Sequence, residues 1–240
     1  STAKLPTGKV KSTASWGIND SVEIGSLTLR AGYNSYTIDI QIGLVDQLLG
    51  GLKQFAAGAA AVPVPAFQAA GAQALALADK YRATDMALTA IALGASYDPG
   101  DWFVMSELVE FKGVGLLSDS RSWYLSGGYR FGSWTPYATY ASTKAKIKPE
   151  GAINTTGATP LAAGAAALVG GLNTSLYNFT PTQNTFSVGL RWDAMTNVAV
   201  KAQYDRIKTG EQSHGRLKTF TGLEASRNVD VVSLAVDFVF

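Results

Sequence analysis

Residues 229–240 read VDVVSLAVDFVF. Counting back in steps of two gives Phe240, Phe238, Val236, Leu234 and Val232, all apolar, while Asp237, Ala235 and Ser233 between them are small or acidic. A period of two belongs to a β-strand, whose side chains alternate between faces. One face here is wholly apolar and the other accepts a carboxylate. The edge of a soluble sandwich could carry such a strand, and so could the wall of a membrane barrel.

The same alternation recurs along the chain. Ala14, Trp16, Ile18, Val22 and Ile24 oppose Ser15, Gly17, Asn19, Ser21 and Glu23. After a turn at Gly25-Ser26, Leu27, Leu29, Ala31 and Tyr33 oppose Thr28, Arg30, Gly32 and Asn34, which makes a hairpin. Thr89 to Tyr97, Trp102 to Leu108, Trp123 to Phe131, Phe186 to Trp192 and Val198 to Tyr204 repeat it, and Trp134 to Lys148 forms a strand without a clear apolar face. Nine strands are expected, preceded by a polar, unpatterned segment at residues 1–11.

Two segments break the rhythm. In residues 40–83, Leu44, Leu48, Leu52 and Phe55, then Phe67, Ala70, Ala74, Leu77 and Tyr81, recur at helical spacing around a VPVP interruption. This predicts a helical loop insert of two short amphipathic helices. Residues 149–182 are rich in Ala, Gly, Thr and Asn with little periodicity, and predict a long loop, extracellular if the strands cross a membrane.

The connections sort by length. Short turns lie near residues 25, 99, 132 and 196; the long ones are 40–83, 113–120, 149–182 and 210–227. A soluble sandwich has no reason to place its long loops at one end, whereas transmembrane barrels carry short periplasmic turns and long external loops. Tyr97, Trp102, Phe131, Trp134 and Trp192 flank the short turns, as interface aromatics of a membrane girdle would. The Ala-rich stretch 58–78 is broken by Pro63, Pro65, Gln68, Gly71 and Gln73 and makes a poor spanning helix.

Composition narrows the chemistry. A formal charge of +2 over 240 residues gives no reason to expect nucleic acid, and the absence of cysteine excludes disulfides and thiolate metal sites. STAKLPTGKVKS at the N-terminus lacks the apolar core of a secretory signal, so the chain is expected to be mature or truncated. His214 lies alone in a polar loop, and no Ser/His/acid set, metal cluster or phosphate loop is visible. No enzyme activity, cofactor or metal is expected. The NTT, NTS and NFT triplets near residues 154, 173 and 178 match a glycosylation pattern that such loops produce by chance.

If the apolar faces meet lipid, the polar faces define a lumen carrying Glu23, Arg30, Glu107, Arg130, Arg191, Asp193, Lys201, Asp205 and Asp237. These charges form either a salt-bridged wall or a transverse field that sets ion preference.

The segments LGASYDPGDWFVMSELVEF, WYLSGGYRFGSWTPYATYAS, FSVGLRWDAMTNVAVKAQYDRIK and VDVVSLAVDFVF resemble, in order and spacing, the C-terminal part of Gram-negative, proteobacterial outer-membrane porin-like proteins. The resemblance implies an all-β, antiparallel, up-and-down transmembrane barrel and a water-filled channel for passive diffusion of ions and small hydrophilic solutes. It implies a constriction at the 40–83 insert and an assembly signal at Val232, Leu234, Val236, Phe238 and Phe240, read by the barrel-assembly machinery. Outer-membrane lipid and lipopolysaccharide are the implied surroundings, and a homotrimer the implied assembly, although no face of the sequence selects one. Such barrels have about sixteen strands and an even count. Nine strands therefore suggest the C-terminal portion of a longer barrel, or a tenth strand hidden in residues 1–11. Two other expectations stand beside the porin: a plugged barrel whose long loops dock a partner, and a soluble β-sandwich binding protein.

Overall fold

The computed structural model describes residues 2–5, 8–146, 148–211, 213, 215–217 and 227–239, without side-chain detail before residue 9. Its frame is one sheet of ten strands in sequence order, every neighbour antiparallel. The strands are β1 (Thr2–Leu5), β2 (Gly8–Ile24), β3 (Leu27–Ile42), β4 (Met86–Tyr97), β5 (Trp102–Gly113), β6 (Ser120–Tyr129), β7 (Trp134–Ala145), β8 (Gln183–Met195), β9 (Val198–Thr209) and β10 (Asn228–Phe238). Nine match the expected set. The short β1 pairs with residues 8–11 of β2, so the unpatterned N-terminal segment does hold a tenth strand.

Tight turns close the β2–β3, β4–β5, β6–β7 and β8–β9 hairpins at one end. Gly25 (φ 60°) and Asn197 (φ 66°) supply the left-handed backbone that two of them need. No second layer covers the apolar side of the sheet among the described residues. Trp16, Ile18, Leu93, Leu125 and Phe186 stand 48–70% exposed there, and Val232, Leu234, Val236 and Phe238 are 61–78% exposed. A soluble sandwich would bury that face against another sheet, and the sandwich expectation is not met.

The long connections lie at the other end. Helices α1 (Gly43–Ala60) and α2 (Pro65–Lys80) occupy the 40–83 insert, with Pro65 opening α2 where its missing N–H costs nothing. They pack through small residues: Ala56 clusters with Ala70, Ala74 and Ala78, and Ala59 lies over Gly71. A Cβ at Gly71 would lie 2.9 Å from the Ala56 carbonyl oxygen, so only glycine permits this approach. A third helix, α3 (Ala162–Asn178), replaces the irregular loop expected over much of 149–182. Its sequence, AAGAAALVGGLNTSLYN, has almost no polar face, so no helical period was visible. α3 buries Val169 against α1 and α2, and Leu172 and Leu176 against the end of the sheet.

The helices cap one side of the sheet only. Ile38, Ile40 and Met86 occupy register positions on the polar face, where β3 and β4 turn apolar at their long-loop ends, and pack with Val45, Leu116 and Leu172. The chain therefore bends inward after Ile42. Lys80, Tyr81 and Glu150 tie the cap together. The Lys80 ammonium and the Tyr81 hydroxyl each donate to Glu150 Oε1 at 2.5 Å, and Asn173 Nδ2 donates to the Glu150 carbonyl at 3.0 Å.

Candidate pore-lining face

Register settles which side each charged residue occupies. Directly opposed residues in an antiparallel pair share a face. Ser21, Arg30, Gly94, Glu107 and Tyr124 form one row across five strands, and Thr135, Arg191, Lys201 and Ala235 form another. Asp193 and Asp237 flank Ala199, Asp205 lies opposite Ser187, and Glu23 lies opposite Thr28. Arg130, one residue past β6, reaches the groove that holds Arg191, Asp193 and Lys201. All nine predicted residues thus belong to one face, the side the helices cap.

They do not form one cluster. Near three of the short turns, those of β4–β5, β6–β7 and β8–β9, the charges are paired. Arg130 grips Asp98 through two hydrogen bonds, Nη1 to Oδ1 at 2.8 Å and Nη2 to Oδ2 at 2.7 Å, and donates to the Gly100 carbonyl at 2.6 Å. Two parallel N–H···O contacts of this kind are the strong form of an arginine–carboxylate pair. The Arg130 hydrogen bonds hold the Asp98 carboxyl below the usual carboxylate range, and the same contacts raise the guanidinium further above its own. This pair fastens the β4–β5 turn to the β6–β7 hairpin. Arg191 pairs with Asp193 at 2.7 Å, and Lys201 with Asp237 at 2.6 Å. Asp205 accepts from the Ser187 hydroxyl and from Gln203 Nε2 at 2.8 Å.

Glu23, Arg30 and Glu107 make no ion pair among the described residues. Arg30 and Glu107 stand on either side of Gly94 in register, lining a groove of about 470 Å³ with Asn19, Ser21 and Tyr124. A second groove, about 690 Å³, holds Arg130, Arg191, Asp193 and Lys201 over Phe103 and Tyr137.

Glycines shape both grooves. Phe103 and Tyr137 lie across Gly128 and Gly189 on the next strand, where an added Cβ would overlap each ring. Asn19 and Asn34 exchange amide hydrogen bonds at 3.3 Å over Gly17 and Gly32, which leave room for them. Asp98, Phe103, Tyr137, Tyr124 and the asparagine pair were absent from the predicted set. Strand parity places Phe103 and Tyr124 on the polar face, so that signal was present, whereas Tyr137 lies on the strand whose sequence shows no clear apolar face. Asp98 lies in a turn, where parity gives no direction.

The opposite face carries aromatics in two rows. At the short-turn end Tyr97 packs on Trp102 (5.3 Å between ring centres), Phe131 on Tyr129 (4.5 Å) and Trp134 flat on Trp192 (5.2 Å, 7°). Six residues further along the strands Trp123 meets Tyr140 and Phe186 projects, and Trp16 packs on Tyr33. The second row was not anticipated, because no short turn marks it. Six residues span about 20 Å along a strand, or about 15 Å of height at the ~40° tilt of barrel strands, within the ~25 Å apolar band of a membrane barrel. No helix among the described residues is long and apolar enough to cross a membrane.

His214 and Phe240 lie outside the described residues. No protein-family model matches the sequence, and no curated protein matches it. Solved structures do. The chain is similar to outer-membrane expressed OmpT of Vibrio cholerae, at 10% identity and TM-score 0.49, over 99% of this chain and 62% of that one. It is also similar to OccK9 (OpdG) of Pseudomonas aeruginosa, at 9% identity and TM-score 0.41, over 99% of this chain and 49% of that one. The chain thus spans less than two thirds of the length of either protein.

Proposed function

We propose that this sheet is part of the wall of a bacterial outer-membrane porin, with the capped polar face toward water and the opposite face toward lipid. One observation carries the proposal: a single up-and-down sheet has tight turns at one end, longer connections, two of them helical, at the other, and an uncovered apolar face between two aromatic rows. Water would have to wet that face in a soluble protein. Hydrocarbon covers it at no such cost, and the antiparallel ladder satisfies the backbone that lipid cannot.

Closure needs more strands. The edges of the sheet are the four-residue β1 and β10. β2, which β1 covers over only residues 8–11, and β10 both run toward the short turns, so joining those two directly would make a parallel pair. An odd number of strands must stand between them in an antiparallel barrel, and β1 supplies only four residues of one. Solutes would pass by diffusion, selected by groove width and wall charge, with no covalent step and no cofactor. The pairs Arg130–Asp98, Arg191–Asp193 and Lys201–Asp237 neutralise part of the rim, while Glu23, Arg30, Glu107 and Asp205, with no ion pair among the described residues, present net charge to a passing ion. Val232, Leu234, Val236 and Phe238 form the outward row of β10, the side open to the assembly machinery during insertion. Homotrimer assembly belongs to the same proposal.

The test is current through a planar bilayer after insertion of the protein. Stepwise conductance is expected. Arg130→Glu with Arg191→Glu should shift reversal potential toward cations, because each exchange also strips Asp98 or Asp193 of its partner. An unchanged potential would remove these two arginines from the filter. A plugged docking barrel is the second possibility, favoured by the α1–α3 cap over the polar face. It predicts insertion without current steps.

A further inference from the structure

Above the second aromatic row, on the lipid-facing side, the sheet changes character. Glu110, Arg121 and Lys144 stand directly opposite one another on β5, β6 and β7. With Lys112, Asp119 and Lys146 they line an outward cleft of about 440 Å³. Four cations face two carboxylates there. Lys112 bonds to Glu110 at 3.3 Å and to Asp119 at 3.2 Å, and Arg121 reaches Glu110 at 3.6 Å. These contacts use both acids. Lys144 and Lys146 make no ion pair among the described residues, and Lys144 sits opposite Arg121 on the same face.

Like charges directly opposed on adjacent strands are destabilising. Nothing in the fold requires this juxtaposition, since both side chains are exposed and Arg121 is 62% accessible. An anion between them would turn the repulsion into two charge-assisted contacts. What lies beneath identifies the kind of anion. Trp123 follows Arg121 by two residues on the same face and packs on Tyr140 at 5.6 Å, with Leu108 opposite and Leu125 below. Amphipathic rings of this sort mark the boundary between acyl chains and headgroups. The cleft sits one step above them, at headgroup height, and opens sideways toward the bilayer.

We infer that Arg121, Lys144 and Lys146, with Lys112, form a binding site for the phosphate group of a membrane lipid, whose acyl chains run down over Trp123, Leu108 and Leu125. The site rests on the proposal that the apolar face meets lipid. It requires no contact with the channel, so it works independently of whether solutes pass.

Tryptophan fluorescence in vesicles tests it. The full chain is reconstituted into phosphatidylcholine vesicles that carry brominated acyl chains on either phosphatidylcholine or phosphatidic acid, at equal mole fraction. Quenching by the brominated phosphatidylcholine shows that the apolar face meets lipid; its absence overturns the membrane proposal and this site with it. Given that quenching, the phosphatidic acid should quench at least twofold more. The excess should vanish in Trp123→Phe, which removes the nearest reporter, and in Arg121→Gln with Lys144→Gln, which removes both charges and leaves polar side chains. It should persist in Lys53→Glu, a charge reversal on α1. Equal quenching by the two lipids in the unaltered chain, or an excess that survives the double exchange, overturns the site. Equal quenching by the two lipids, together with binding of inorganic phosphate that Arg121→Gln with Lys144→Gln abolishes, would assign the cleft to free phosphate and overturn the lipid.

Discussion

Gly189 and Tyr137 show how single residues set the wall. Tyr137 lies across Gly189 from the neighbouring strand and donates its hydroxyl hydrogen to Gln203 Oε1 at 2.8 Å. Gly189→Ala would drive a methyl group into the ring, forcing Tyr137 from its rotamer and breaking that bond. A loss of about 1–3 kcal/mol is expected from such overpacking, read as a lower urea midpoint in detergent. Adding Tyr137→Ala should recover part of it, because the clash then has no second partner. A neutral Gly189→Ala would mean the ring is free to move. The pairing of Arg130 with Asp98 belongs to the same scale: alternation could count the arginine among the polar positions, but its partner came from a turn.

Among the elements, the helical cap depends on one carboxylate. Burial works against the charge on Glu150, but hydrogen bonds from Lys80 and Tyr81 outweigh it and hold the carboxyl below the usual range. Burial, then the bond to Glu150, keeps the Tyr81 hydroxyl protonated well above its ordinary range. A depressed carboxyl stabilises the fold fully above its unfolded value, roughly 4.3, and that contribution is lost as pH falls through the folded one. Amide exchange in α2 and α3 should therefore speed up on acidification below that value. Glu150→Gln should speed it already at neutral pH, by an amount corresponding to about 1–3 kcal/mol for a buried bond network broken on one side, and should flatten the acid response. Unaltered exchange in the variant would show that apolar packing alone holds the cap.

For the whole molecule the decisive contrast is between the two faces. Leu125 lies between the aromatic rows on the outer face, half exposed, while Glu107 lies on the inner one. Leu125→Arg should destabilise the bilayer-embedded protein by about 2–4 kcal/mol, measured by reversible urea unfolding in vesicles. Glu107→Gln should leave stability unchanged and alter ion preference instead. Equal tolerance at both positions would contradict a lipid-covered outer face.

Alternation along each strand, with turn chemistry and loop lengths, determined the strand count to within the short β1, the two faces and the side on which all nine charged residues lie. That follows because a side-chain period of two is a local property of the extended backbone, legible without knowing any partner. The tertiary structure decided what depends on register between strands. It paired Arg130 with Asp98, left Arg30 and Glu107 flanking Gly94, set Arg121 against Lys144, and folded α3 from a segment too uniformly apolar to show a period. Such contacts join residues far apart in the chain, and only the pairing of neighbouring strands brings them within reach.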